Sequence, residues 1–157
     1  MNMEFDMIIE NLNKKMKLLG VCIEKLDYKK LTEVENNFIN TYRPERSLIV
    51  YGTLAPNRSN YSEVEHIKGK WMKGIVKGKL ENAGWATEFG YPAFRHTRSE
   101  EQENIEAYIL FSDRLVDNWA SLDEFEGNEY HRILAKFELE NGEVGVGNIY
   151  AASDAAL

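Results

Sequence analysis

Residues 48–60 read LIVYGTLAPNRSN. Leu48 to Tyr51 form a short unbroken apolar run, which suits a strand buried on both faces. The run stops on Gly52-Thr53-Leu54, and Pro56, Asn57 and Ser59 then turn the chain. A strand ending on Gly-Thr can offer backbone N–H groups to a small anion, because glycine lets a ligand approach the backbone closely. This stretch therefore predicts a buried strand with a binding loop at its end.

The chain beyond it is rich in strands. Lys70 to Leu80 (KWMKGIVKGKL) is β-prone, and Gly74 and Gly78 within it predict bends or bulges of a curved sheet. Ile105 to Phe111 gives a further strand. Tyr130 to Glu138 and Glu143 to Ala151 form a hairpin about Asn141-Gly142, a strong turn signal. One helix is predicted over Asp113 to Phe125. Several short strands with one main helix indicate an α+β chain built on a small mixed β-barrel, closed or half closed.

The first 46 residues differ in texture. Phe5, Ile8, Ile9, Leu12, Met16, Leu19, Ile23 and Leu26 recur at spacings of three and four, the stripe of an amphipathic helix. After Asp27-Tyr28-Lys29-Lys30 the pattern resumes with Leu31, Val34, Phe38 and Ile39, and Thr32 to Glu35 reads as a capping box. Two helices are expected, their apolar faces packed on the main domain, on a second copy of the chain or on a partner helix. Arg43-Pro44-Glu45-Arg46 marks the boundary, giving an N-terminal helical extension (1–46) and a barrel domain (47–157).

Composition narrows the function. The 157 residues carry a formal charge of −7. Residues 1–46 hold eight basic and eight acidic side chains, and 47–157 hold eleven basic and eighteen acidic, so the excess lies wholly in the barrel domain. A domain of that sign repels phosphate backbones, which argues against nucleic acid as partner. Cys22 is the only cysteine, so neither an intrachain disulfide nor a cysteine metal cluster can form. The opening MNMEFDMIIE lacks the apolar core of a secretory signal, and no apolar run reaches the ~18 residues of a membrane span. A cytoplasmic location follows as an expectation, and the sequons at Asn57 and Asn60 read as chance turn sequences. His66, His96 and His131 lack metal-ligand spacing, and neither a phosphate-binding P-loop nor a G-x-S-x-G elbow is present.

The helix predicted over 113–125 contains the sharpest local signal. With Leu115 as zero, Trp119 falls at ~40°, Leu122 at about −20° and Glu126 at ~20° on a helical wheel. Glu126 thus points along the centre of the apolar stripe, whereas Glu124 at ~180° faces water. A carboxyl so placed is desolvated, its pKa rises, and it becomes suited to acid–base work near neutrality.

Two stretches taken in order, Tyr51-Gly52-Thr53-Leu54 and Leu122-Asp123-Glu124-Phe125-Glu126-Gly127 followed by Tyr130-His131-Arg132, resemble the signatures of the γ-glutamylcyclotransferase-like superfamily. Gly90-Tyr91-Pro92-Ala93 matches a further segment in part, and Tyr150 resembles the tyrosine of the family's last strand. The resemblance spans about residues 47–152. Ile105-Glu106 stands where the family has Gly-Glu, and the N-terminal helices lie outside the common core. The resemblance implies a mixed barrel with a central cavity, substrate bound by the backbone of Tyr51, Gly52, Thr53 and Leu54, and Glu126 as acid/base. Tyr130 and Tyr150 are expected to line the pocket, with Arg132 either structural or anion-binding. The implied reaction is cyclisation of a γ-glutamyl amino acid or amine to 5-oxoproline, with no metal or cofactor. The alternatives are a non-catalytic binder of a small acidic metabolite and an interaction protein acting, or self-associating, through its N-terminal helices.

Overall fold

A computed structural model describes residues 3–51, 61–81, 93–95 and 102–152. The elements run α1 (Met3–Leu19), α2 (Glu33–Tyr42), β1 (Ser47–Val50), α3 (Ser62–Glu65), β2 (Lys70–Glu81), β3 (Ala93–Arg95), β4 (Glu103–Phe111), α4 (Trp119–Glu126), β5 (Tyr130–Leu139) and β6 (Val144–Ala152). Short 3₁₀ turns at Ile23–Lys25, Tyr28–Lys30, Pro44–Arg46 and Asp113–Asp117 connect them.

The strands close on themselves. β1 pairs antiparallel with β4, β4 with β2, β2 with β5 and β5 with β6, and β6 returns parallel to β1 through Leu48↔Asn148 and Ile49↔Ile149. The result is a five-stranded mixed barrel, with β3 added between the end of β2 and the end of β6. Side chains alternate across each strand. Ile49, Val76, Phe94, Ala107, Ile109, Ala135, Phe137 and Ile149 come from all six strands and form one buried cluster, the barrel core. Their neighbours in sequence point outward and are covered in turn. Leu115, Trp119 and Leu122 lie over Leu48, Val50 and Leu110, while the N-terminal helices lie over Leu134 and Val146.

The helical extension therefore buries its stripe against the barrel's own outer wall. Ile9, Leu12, Met16, Ile23 and Phe38 are buried there. The capping box at Thr32 and Glu35 forms as expected, and Glu35 also accepts from Lys15. Asn13 lies across β5. Its amide donates to the Leu134 carbonyl (2.9 Å) and its carbonyl accepts from the Leu134 N–H (2.8 Å). One side chain thus supplies both bonds that a neighbouring strand would have made. Leu19 and Val34 depart from the stripe and are exposed.

Two expectations need correction, and two short elements went unforeseen. The pairing of β2 with β4 runs residue for residue from Lys70↔Phe111 to Gly78↔Glu103, so neither Gly74 nor Gly78 marks a bulge in that ladder. Instead, a Cβ on Gly74 would strike the β5 backbone at Glu138, and one on Gly78 would strike the Phe94 ring. The glycines permit close approach where the barrel shuts. The helix predicted from Asp113 is also divided. Ser112 Oγ accepts from the Arg114 N–H and starts a 3₁₀ turn, and the α-helix begins only at Trp119. Finally, β3 and α3 carried no periodicity long enough to be foreseen.

Candidate active site

The face that α4 turns toward the barrel places Trp119, Leu122 and Glu126 together, at positions i, i+3 and i+7. Trp119 anchors the start, and its indole N–H donates to the Glu45 carbonyl at 3.0 Å. Gly127 ends the helix at φ +76, a left-handed conformation that suits glycine, and turns the chain directly into β5. Glu126, the last helical residue, is only 8% exposed. Burial above all, and then the negative charge of Asp123 one turn earlier, push its carboxyl up to about 7.

Tyrosines surround this carboxyl. Tyr51, just past β1, donates its hydroxyl to the Tyr150 carbonyl (2.7 Å) and accepts from the Phe94 N–H (2.7 Å). It thereby joins the ends of β1, β3 and β6. Burial holds its phenol protonated far above the usual range, and the nearby Glu126 and Tyr130 add to this. Tyr130, the first residue of β5, is buried beside Tyr150 and Ala152. Tyr150 donates its hydroxyl to Asp123 Oδ1 at 2.6 Å, and burial followed by the Asp123 charge raises its pKa well beyond the ordinary value. A cleft of about 760 Å³ opens between the N-terminal helices and the α4–β5 turn, with Met16 and Cys22 on one wall and Asp123, Gly127, Tyr130 and Tyr150 on the other.

Four of the residues predicted from sequence, Tyr51, Glu126, Tyr130 and Tyr150, thus gather at one end of the barrel. Gly52, Thr53, Leu54 and the Gly90-Tyr91-Pro92 segment lie outside the described residues, as do Asn57 and Asn60. Arg132 lies on the wall of the same cleft, held by protein side chains. Its Nε–H and one Nη2–H bind Asp123, one Nη1–H and one Nη2–H bind Glu24, and the other Nη1–H binds Asn148. All five guanidinium donors thus meet protein acceptors. Asp123 was missed by the sequence reading, although it stands inside the Leu-Asp-x-x-Glu-Gly motif. Glu106, at the departure from the family pattern, is exposed on β4. Among the described residues, no three His, Cys, Asp or Glu side chains group as a metal ion would need, and no helix is long and apolar enough to cross a membrane.

Comparison with known proteins gives a family and a fold. Residues 48–156 match the gamma-glutamyl cyclotransferase, AIG2-like, family. A search of curated proteins finds no significant match. Among solved structures, YkqA from Bacillus subtilis superposes with a TM-score of 0.53 at 24% identity, over 69% of this chain and 36% of that one. This chain thus spans only about a third of the Bacillus protein. A uropathogenic E. coli-specific protein superposes with a TM-score of 0.50 at 15% identity, over 70% of this chain and 80% of that one. Both are likenesses of fold.

Proposed function

The chain belongs to the gamma-glutamyl cyclotransferase, AIG2-like, family, and from that premise we propose that it cyclises a γ-glutamyl amino acid or amine to 5-oxoproline. The observation that carries the reading is Glu126, a buried carboxyl tuned to about 7 beside a cleft. A group that exchanges its proton near the working pH is suited to take one and return it in a single cycle.

The substrate folds its α-ammonium toward its own γ-carbonyl. Glu126, as carboxylate, accepts one ammonium proton, and the freed nitrogen attacks the γ-carbonyl carbon. The new C–N bond closes the five-membered lactam, and the old amide C–N bond breaks. Glu126 gives its proton to the leaving nitrogen. The second proton shed by the attacking nitrogen also ends on the amine, which departs as ammonium. Both reacting groups sit in one molecule, so holding the reactive conformer contributes on the order of 7 kcal/mol at best. Backbone N–H groups of Gly52 to Leu54 serve as the anchor for the substrate carboxylate or the oxyanion. Tyr130 and Tyr150 wall the approach from the cleft.

Incubation with a panel of γ-glutamyl amino acids and amines, with 5-oxoproline detected, tests the reading. Turnover should rise with pH through about 7, as Glu126 loses its proton. Glu126→Gln should lose at least ~10²-fold in rate while Glu124→Gln, on the exposed face, stays near wild type. Equal activity in the two variants would remove Glu126 from the chemistry. No turnover across the panel, with 5-oxoproline still bound, would make the chain a binder of small acidic metabolites.

A further inference from the structure

Arg132 connects parts of the molecule that are far apart in sequence. Its side chain is 1% exposed and its guanidinium lies 4.1 Å from the centre of the Trp119 ring. On one edge it grips Asp123 of α4 with two bonds of 2.9 and 3.1 Å. On another it is gripped by Glu24 of the N-terminal extension, with two bonds of 2.8 Å. Asn148 of β6 takes the remaining donor, and its own amide donates to the Pro44 carbonyl. Paired contacts on both sides fix the guanidinium plane, which fixes the Asp123 carboxylate, which receives the Tyr150 hydroxyl.

We propose that Glu24 is a positioning residue for Glu126, acting through Arg132 and Asp123, so that the N-terminal extension is a working part of the site as well as a cover for the barrel wall. The inference rests on the reading of Glu126 as the proton carrier. Without Glu24, two buried guanidinium donors lose their acceptors, and Arg132 is free to turn away from Asp123. The charge balance changes as well. Asp123 is the charge that opposes ionisation of Glu126, and Arg132, held by Glu24, sets where that charge lies and how far it is offset. Among the described residues, the other ionisable groups near this set include Tyr51, Tyr130 and Tyr150 around Glu126, Cys22 and Lys25 around Glu24 and Asp123, and Lys14, Lys17 and His131 along the same cleft. Burial, first, raises the Cys22 thiol, which therefore adds no negative charge near neutral pH.

The test uses the full chain with Glu24→Gln, Glu24→Asp and, as control, the exposed Glu4→Gln. The Glu126 carboxyl is followed by carbon-detected NMR across pH, its signal assigned by its loss in Glu126→Gln. Turnover is followed over the same range. Removing one negative charge from this cluster should lower the Glu126 midpoint by on the order of half a pH unit. The acid limb of the rate should move with it. Glu24→Asp should fall between wild type and Glu24→Gln, and Glu4→Gln should not move. A folded Glu24→Gln protein with a wild-type midpoint and pH profile would overturn the proposal. Should Glu24→Gln not fold, the Glu24→Asp midpoint decides in the same way. A shifted midpoint in a chain that turns over none of the panel would sink the cyclisation reading alone. Turnover with an unmoved midpoint would sink the role of Glu24 alone.

Discussion

Glu126 should weaken the fold at the pH where it is most useful. Its carboxyl is raised from 4.5 to about 7 by burial and by Asp123. Between those values the folded chain binds a proton that the unfolded chain does not, so folding stability falls as pH rises through this window. Moving a carboxyl over that span corresponds to about 3 kcal/mol, present in full only above pH 7. Glu126→Gln keeps the shape and a hydrogen-bonding head group but cannot ionise. Relative to wild type, the variant should be of similar stability at pH 4 and more stable by about 3 kcal/mol at pH 8. Urea unfolding of both proteins at pH 4, 6 and 8 measures the difference, and every other titrating group is common to the pair and cancels. The same substitution should abolish turnover, so stability and activity should move in opposite directions at one residue. A stability difference that does not change with pH would refute the reasoning, since it would mean that Glu126 titrates alike in the folded and unfolded chain.

Further outcomes follow from other parts of the molecule. Asn13→Ala leaves the Leu134 N–H and carbonyl without their side-chain partner and should lower stability by about 2 kcal/mol in urea unfolding. Asn13→Asp keeps the acceptor but not the donor, and should fall between. At the strand end, Thr53→Ser should retain most binding of 5-oxoproline in calorimetric titration. Gly52→Val, which places a branched side chain where backbone N–H groups must meet the ligand, should abolish binding while circular dichroism stays that of the wild type. Wild-type affinity in a folded Gly52→Val protein would leave Gly52 as a packing glycine.

What could be read from the sequence follows the range of the forces involved. β1 was legible because Leu48, Ile49 and Val50 are buried in succession and leave an unbroken apolar run, and the β5–β6 hairpin because Gly142 takes φ +91 at the turn. The capping box was legible because its partners are three residues apart. The strand β3 was not, because three residues show no periodicity, and its place depends on β2 and β6 meeting across the barrel. Gly74 and Gly78 read as bends because a glycine in a strand has several uses, and only the approach of Glu138 and Phe94 selects among them. The helical wheel found Glu126 although it ran through a break at Asn118, since Trp119, Leu122 and Glu126 lie within the true helix. Asp123 falls at ~80° on that wheel, at the edge of the stripe, so periodicity alone gave no reason to choose it. Glu24 was beyond reach, because its partner lies 108 residues away and no local pattern marks the pair.

The two acids of Leu-Asp-x-x-Glu-Gly show why one motif can serve both structure and chemistry. Asp123 and Glu126 are one helical turn apart, yet their surroundings differ in kind. Asp123 faces a guanidinium and a tyrosine hydroxyl, three donors in all. Glu126 is buried near tyrosines whose own ionisation burial suppresses, and burial followed by the Asp123 charge holds its proton. Burial makes Glu126 the carboxyl that exchanges its proton near neutrality, while its neighbour Asp123 is held by three hydrogen bonds. The arrangement works only while Arg132 stays on Asp123. A guanidinium that swung to Glu126 would lower its proton affinity and leave it a fixed anion. Glu24 and Asn148, which occupy the rest of Arg132, keep the cation in place, so on the proposed reading the proton exchange of Glu126 depends on side chains beyond its own neighbours.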